Sequence, residues 1–116
     1  MWVIRITNLS RNSVLATNAD VARDPQSRQT GLLNRPKLLP GEGLWIVPGG
    51  RIHTFGMNFS IDVLFLGEAG EVLAYCTMPS ERSANYPGSN SVLELPAGMI
   101  AASGTERGDR LEFQEY

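Results

Sequence analysis

Twelve glycines and seven prolines are spread along this chain of 116 residues, and they argue for frequent turns and therefore short strands. Proline removes a backbone donor and fixes φ, while glycine opens turn conformations closed to other residues. A chain punctuated this often folds as short strands joined by tight turns. Since 42% of the residues are hydrophobic and 19% charged, the chain still has enough apolar surface for a core. Its length fits one domain, residues 1–116.

The stretches between the turns read as strands. Trp2, Ile4 and Ile6 alternate with Val3, Arg5 and Thr7, the period of a half-buried strand. Ser13 to Thr17 follows as a second strand. Asp24-Pro25 opens a short helix, with Asp24 as cap and Pro25 in the first turn, and Gly31 and Pro36 keep it brief. Gly43 to Val47, centred on Trp45, is a third strand; Pro48-Gly49-Gly50 then reverses the chain through a type II turn with positive φ at Gly49. Arg51 to Gly56 is expected to continue as the next strand.

Asp62 to Leu66 and Glu71 to Tyr75 flank Gly67-Glu68-Ala69-Gly70, a hairpin whose loop fits a type I turn with Gly70 left-handed. Residues 79–91 are polar and proline-interrupted, which predicts a long surface loop. Val92 to Leu95 is a strand, Ala97 to Ser103 a two-turn helix ended by Gly104, and Arg110 to Phe113 the last strand. The expected fold class is mainly β (α+β). About seven short strands and two short helices make a small barrel-like domain, closed or nearly so; an open sheet with helices on one face is the alternative.

Composition removes several functions. Cys76 is the sole cysteine, so an intrachain disulfide framework is excluded. No apolar run approaches the ~20 residues that span a bilayer, and the first residues lack the long apolar core of a signal peptide. The expectation is a cytoplasmic protein that does not engage a membrane. A net charge of −2 gives no support to nucleic-acid binding. The charges are unevenly placed: residues 1–58 hold seven basic side chains against three acids, and residues 59–116 three against nine. Interleaved, the halves pair internally; with the N-terminal arginines on one face, a small anionic ligand or a protein partner becomes the expectation.

Six motifs in order carry a resemblance. Arg28-Gln29-Thr30-Gly31-Leu32-Leu33-Asn34-Arg35 fits an R-x-x-G-L-(L/M)-x-R element. It is followed by Gly41-Glu42-Gly43-Leu44-Trp45-Ile46, Ile52-His53-Thr54-Phe55-Gly56-Met57 and Ile61-Asp62-Val63-Leu64-Phe65-Leu66. Val92-Leu93-Glu94-Leu95-Pro96-Ala97-Gly98 and Gly108-Asp109-Arg110 close the series. Together they resemble the bacterial and archaeal family called domain of unknown function 192. The resemblance implies a small β-rich barrel-like fold and brings no activity, cofactor or catalytic set. It also implies cysteine at the place of Gly49 and proline at the place of Ser60, so thiol or metal chemistry resting on that cysteine would be lost here.

His53 is the sole histidine, and the strand period puts it on one face with Phe55. It is either a base or ligand at a barrel mouth, oriented by Asp62 or Glu94, or a hydrogen-bonded tie between strands. His53, Asp62, Glu94 and Cys76 show no close ligand spacing, so no metal site is assigned. No Gly-x-Ser-x-Gly elbow or phosphate-cradling glycine motif is present, so no catalytic residue and no cofactor are assigned. Arg28 and Arg35, seven residues apart, would share a helix face and grip a carboxylate or phosphate if the helix ran through both.

The candidate ligand-binding set is therefore Arg28, Arg35, His53, Thr54, Met57, Asp62 and Glu94. The leading function is a non-enzymatic small-ligand-binding or accessory domain. Its rivals are a small enzyme with His53 as general base and a module that pairs with a protein through an exposed strand edge.

Overall fold

Six consecutive residues, Ile61 to Leu66, are all buried, so this strand must have packed structure on both of its faces. The computed structural model describes residues 3–116 and shows what supplies each face. Trp2, expected in the first strand, lies outside the described residues. Among those residues the chain runs β1 (Val3–Asn8), β2 (Ser13–Ala22), α1 (Pro25–Thr30), β3 (Glu42–Ile46), β4 (Arg51–His53) and β5 (Ile61–Leu66). It continues as β6 (Val72–Met78), β7 (Ser83–Asn85), β8 (Ser91–Pro96), α2 (Met99–Ser103) and β9 (Leu111–Glu115). Seven strands form one sheet in the order β6-β5-β8-β3-β2-β1-β9, which curls into a half-barrel, and β4 with β7 makes a separate ribbon.

The sheet's two edges meet at one end. Glu71 and Arg110 form an isolated bridge, and Val72 N–H donates to the Asp109 carbonyl at 2.8 Å. Leu111 N–H donates to the carbonyl of Gly70, whose φ of +83° gives the left-handed residue expected in the hairpin loop. Side chains lock this seam. Asn8, fully buried, donates to Thr105 Oγ1 and to Asp109 Oδ2, both at 3.0 Å, and Arg11 Nε donates to the same Asp109 oxygen. Arg11 also pairs with Glu106, so opposite charges from the two halves of the chain do interleave here. These bonds, with that of the Glu106 N–H, hold the Asp109 carboxyl below its ordinary range despite the opposing effect of desolvation. The Gly108-Asp109-Arg110 motif is thus a structural clasp.

Alternation along the strands makes two cores. Ile4, Ile6, Leu15, Leu64, Leu66, Leu93, Leu95 and Leu111 come from strands at both ends of the sheet, so their shared cluster is the inside of the curl. α2 closes it with Ile100. Leu44, Ile46, Ile61, Val63, Phe65 and Val92 point to the other face, where Leu32, Leu38, Ile52 and Met57 cover them. That cover follows from topology. β2 and β3 pair in parallel, and a parallel pair needs a crossover; α1 and residues 31–41 supply it across the outer face.

The structure revises several sequence expectations. β2 runs to Ala22 because its second half pairs with β3, from Asn18 opposite Glu42 to Ala22 opposite Ile46. α1, by contrast, is as expected: the Asp24 carboxyl accepts from Ser27 N–H, Pro25 lies in its first turn, and Gly31 caps its end after Thr30. The 79–91 loop contains β7, whose Ala84 pairs with Ile52 of β4. The Val47–Pro48 peptide is cis and Gly49 is not left-handed, so no type II turn forms there. Space at Gly49 is tight instead: a Cβ would lie 3.1 Å from the Ile46 carbonyl oxygen, so a larger residue there requires a small shift of its neighbours.

Candidate functional site

Two positions one residue out of step on the paired strands β5 and β8 decide where the polar side chains go. Asp62 pairs with Leu95 and Val63 with Glu94, so Asp62 points to the inside of the curl and Glu94 to the outer face. Both are buried, at 1% and 3% exposure, yet their surroundings differ. Asp62 Oδ1 accepts from Thr77 Oγ1 at 2.7 Å, and Oδ2 accepts from the N–H groups of Gly98 at 3.1 Å and Ile100 at 2.8 Å. It ties α2 to the sheet. Glu94 Oε1 has no hydrogen-bond partner.

Above Glu94 lies a hollow of about 180 Å³ between α1, the turn after it, β4 and the 54–57 turn. Ile46, Ile52, Leu32 and Met57 give it apolar walls, and Glu94 is part of its base. Arg28, Arg51 and His53 stand at its mouth, with Leu33 and Phe55 beside them. Leu33 and Phe55 are exposed at 40% and 50%. The His53 ring stacks on Phe55, with centroids 5.5 Å apart. Burial pushes the Glu94 carboxyl up from its ordinary 4.5 to about 7, against the pull of the Arg35 charge. A neutral apolar wall, one unpaired acid at depth and cations at the opening are the elements of a small-molecule site.

Of the residues singled out from sequence, Arg28, His53, Met57 and Glu94 come together in this hollow. Arg35 does not join Arg28 on a helix face, because α1 stops before it at Gly31, which turns the chain with a φ of +52°. Its guanidinium pairs with Asp20. Thr54 is fully buried away from the hollow: its hydroxyl donates to the Pro79 carbonyl at 2.6 Å and accepts from Arg82 N–H at 3.0 Å, fixing the 79–82 segment. Asp62 is on the wrong face of the sheet to orient His53. No hydrogen bond from another described residue reaches the imidazole.

Sequence reasoning passed over Arg51, Leu33 and Phe55. The strand period that grouped His53 with Phe55 also places Arg51 with them, so that signal was present. Among the described residues, no three His, Cys, Asp or Glu side chains gather as a metal cluster. Cys76 is half-buried; desolvation and then the Asp62 charge raise its thiol pKa, the setting of an unreactive cysteine. No helix among the described residues is long and apolar enough to cross a membrane.

Comparison with known proteins agrees with this geometry at the level of fold. A crystal structure from Sinorhizobium meliloti 1021, named a "putative transcription regulator", superposes with a TM-score of 0.82 at 26% identity, covering 97% of this chain and 92% of that one. A protein of unknown function from Novosphingobium aromaticivorans DSM 12444 gives 0.79 at 23% identity, covering 95% and 83%. No curated protein matches the chain. The family model described as "Uncharacterized ACR", domain of unknown function 192, matches residues 6–113, and the chain therefore belongs to that family.

Proposed function

We propose that this protein is a non-enzymatic binding domain whose outer-face hollow takes a small ligand with an apolar body and an anionic group. The observation that carries the reading is Glu94, whose Oε1 is buried without a partner and whose side chain lines a cavity walled by aliphatic side chains. An unmet polar atom of this kind costs about 1–3 kcal/mol, a cost that a bound partner removes. The volume of about 180 Å³ exceeds that of an engineered 150 Å³ apolar cavity that binds benzene, so a ligand portion of at least that size fits. Arg28 and Arg51 supply paired donors for a carboxylate or phosphate at the mouth.

The enzyme rival keeps one supporting feature, since His53 and Glu94 line the same hollow. Ser83 stands opposite His53 on β7, but no hydrogen bond among the described residues joins its hydroxyl to the imidazole, and Asp62 is unavailable as the orienting acid. Nucleic acid is not part of the proposal: the net charge is −2, and the regulator name belongs to the Sinorhizobium protein. A cytoplasmic bacterial setting is part of it, because a lone half-buried thiol suits a reducing compartment.

Backbone amide NMR during titration with short-chain carboxylates tests the reading. Shifts should cluster at Arg28, Ile52, His53, Met57 and Glu94, and Arg28→Ala with Arg51→Ala should weaken binding about tenfold, near 1.4 kcal/mol. Shifts confined to the free edges of β6 and β9 would move the function to strand pairing and refute the hollow.

A further inference from the structure

The charges around the hollow are arranged by depth. Glu94 is 3% exposed at the base, Arg51 is exposed at the opening and Arg28 is half-exposed beside it, with aliphatic surface from Ile46, Ile52 and Met57 between. A plain anion drawn in by the arginines meets a carboxyl at the far end. A plain cation suited to that carboxyl is opposed by the two arginines at the entrance. Like charges held this close in a poorly solvated site discriminate strongly, so each end rejects what the other admits.

We infer that the hollow takes a small zwitterion, with an ammonium end against the Glu94 carboxyl, an anionic end against Arg28 and Arg51, and an apolar spacer between them. The inference rests on the binding reading above and names its ligand class. Three features favour a cation over a neutral donor at the base. Glu94 Oε1 has no protein partner to compete with it. The nearest strong cation, Arg35, is already committed to Asp20. An ammonium in so dry a setting gains more from a carboxylate than a hydroxyl or amide does. The charges that face Glu94 from the elements packed over it are those of Arg28, Arg35 and Arg51, with His53 at the rim. Separation of the two ends by an aliphatic wall favours an ω-amino acid over an α-amino acid, whose charges sit on one carbon.

Isothermal titration of the intact chain with ε-aminocaproate, hexanoate and hexylamine at pH 8 tests this, with amide NMR locating the site. ε-Aminocaproate should bind at least about tenfold more tightly than either half-molecule. Glu94→Gln should erase its advantage over hexanoate and leave hexanoate binding in place. Arg28→Ala with Arg51→Ala should erase its advantage over hexylamine. Equal binding of hexanoate and ε-aminocaproate by the unaltered protein would overturn the zwitterion and leave the binding domain standing. Equal binding of hexylamine would overturn the role of the mouth, and with it the zwitterion. No shift at the hollow with any of the three would overturn both readings.

Discussion

Asp62 and Glu94 are two buried acids one residue out of step on paired strands, and they have opposite fates. Asp62 receives three hydrogen bonds and anchors α2; Glu94 Oε1 receives none, and Glu94 lines a cavity. Burial alone therefore does not mark a functional acid. A carboxyl whose acceptor sites are filled from within the fold is part of the architecture. One left open toward a hollow either lowers stability for nothing or waits for a partner.

The sharpest way to break the comparison is to remove the architectural acid. Asp62→Ala leaves the Gly98 and Ile100 N–H groups and the Thr77 hydroxyl unmet, at a cost of about 4 kcal/mol. A thermal melt should fall by roughly 15–25 °C. A loss below about 1 kcal/mol would mean that α2 is held by packing of Ile100 alone.

Glu94→Gln should act in the opposite direction. The folded carboxyl is raised from 4.5 to about 7, so the folded chain holds this proton more tightly than the unfolded chain. Stability is unaffected by the group below about pH 4.5, falls as pH rises through the interval, and is reduced in full above about pH 7. That shift corresponds to about 3 kcal/mol. Denaturant unfolding should show Glu94→Gln abolishing the decline between acid and neutral pH. An unchanged decline would assign it to another group.

Arg28→Ala with Arg51→Ala sharpens the contrast further. The side chains stand at the mouth of the hollow, so stability should change by less than about 0.5 kcal/mol while carboxylate binding weakens about tenfold. The smallest effect concerns Cys76, whose thiol pKa is raised first by desolvation and then by the Asp62 charge. Asp62→Asn should make alkylation of Cys76 slightly faster at fixed pH, as followed by mass spectrometry in the folded protein.

Much of the frame was legible in local chemistry. The hairpin after β5 could be read from Gly67-Glu68-Ala69-Gly70, and the start of α1 from Asp24-Pro25, because turn and cap preferences act within four residues. β7 was hidden because Ser83-Ala84-Asn85 lies in a polar stretch and is a strand only through its pairing with β4. The second half of β2 was hidden for the same reason, its partner being β3.

Of the candidate site, Arg28, His53, Met57 and Glu94 were singled out by residue type, and all four line the hollow. Their assembly depended on α1 crossing the outer face. The error over Asp62 has one cause: whether it shares a face with Glu94 depends on the β5–β8 register, and a shift of one residue reverses the answer. No local pattern carries that information.

The most direct measurement is an NMR pH titration of the Glu94 side-chain carboxyl carbon in the folded protein. A midpoint near 7, moving downward when a zwitterion occupies the hollow, is the predicted result. A midpoint near the ordinary carboxyl value, indifferent to ligand, would mean that Glu94 is solvated or already partnered and that the hollow is not a binding site.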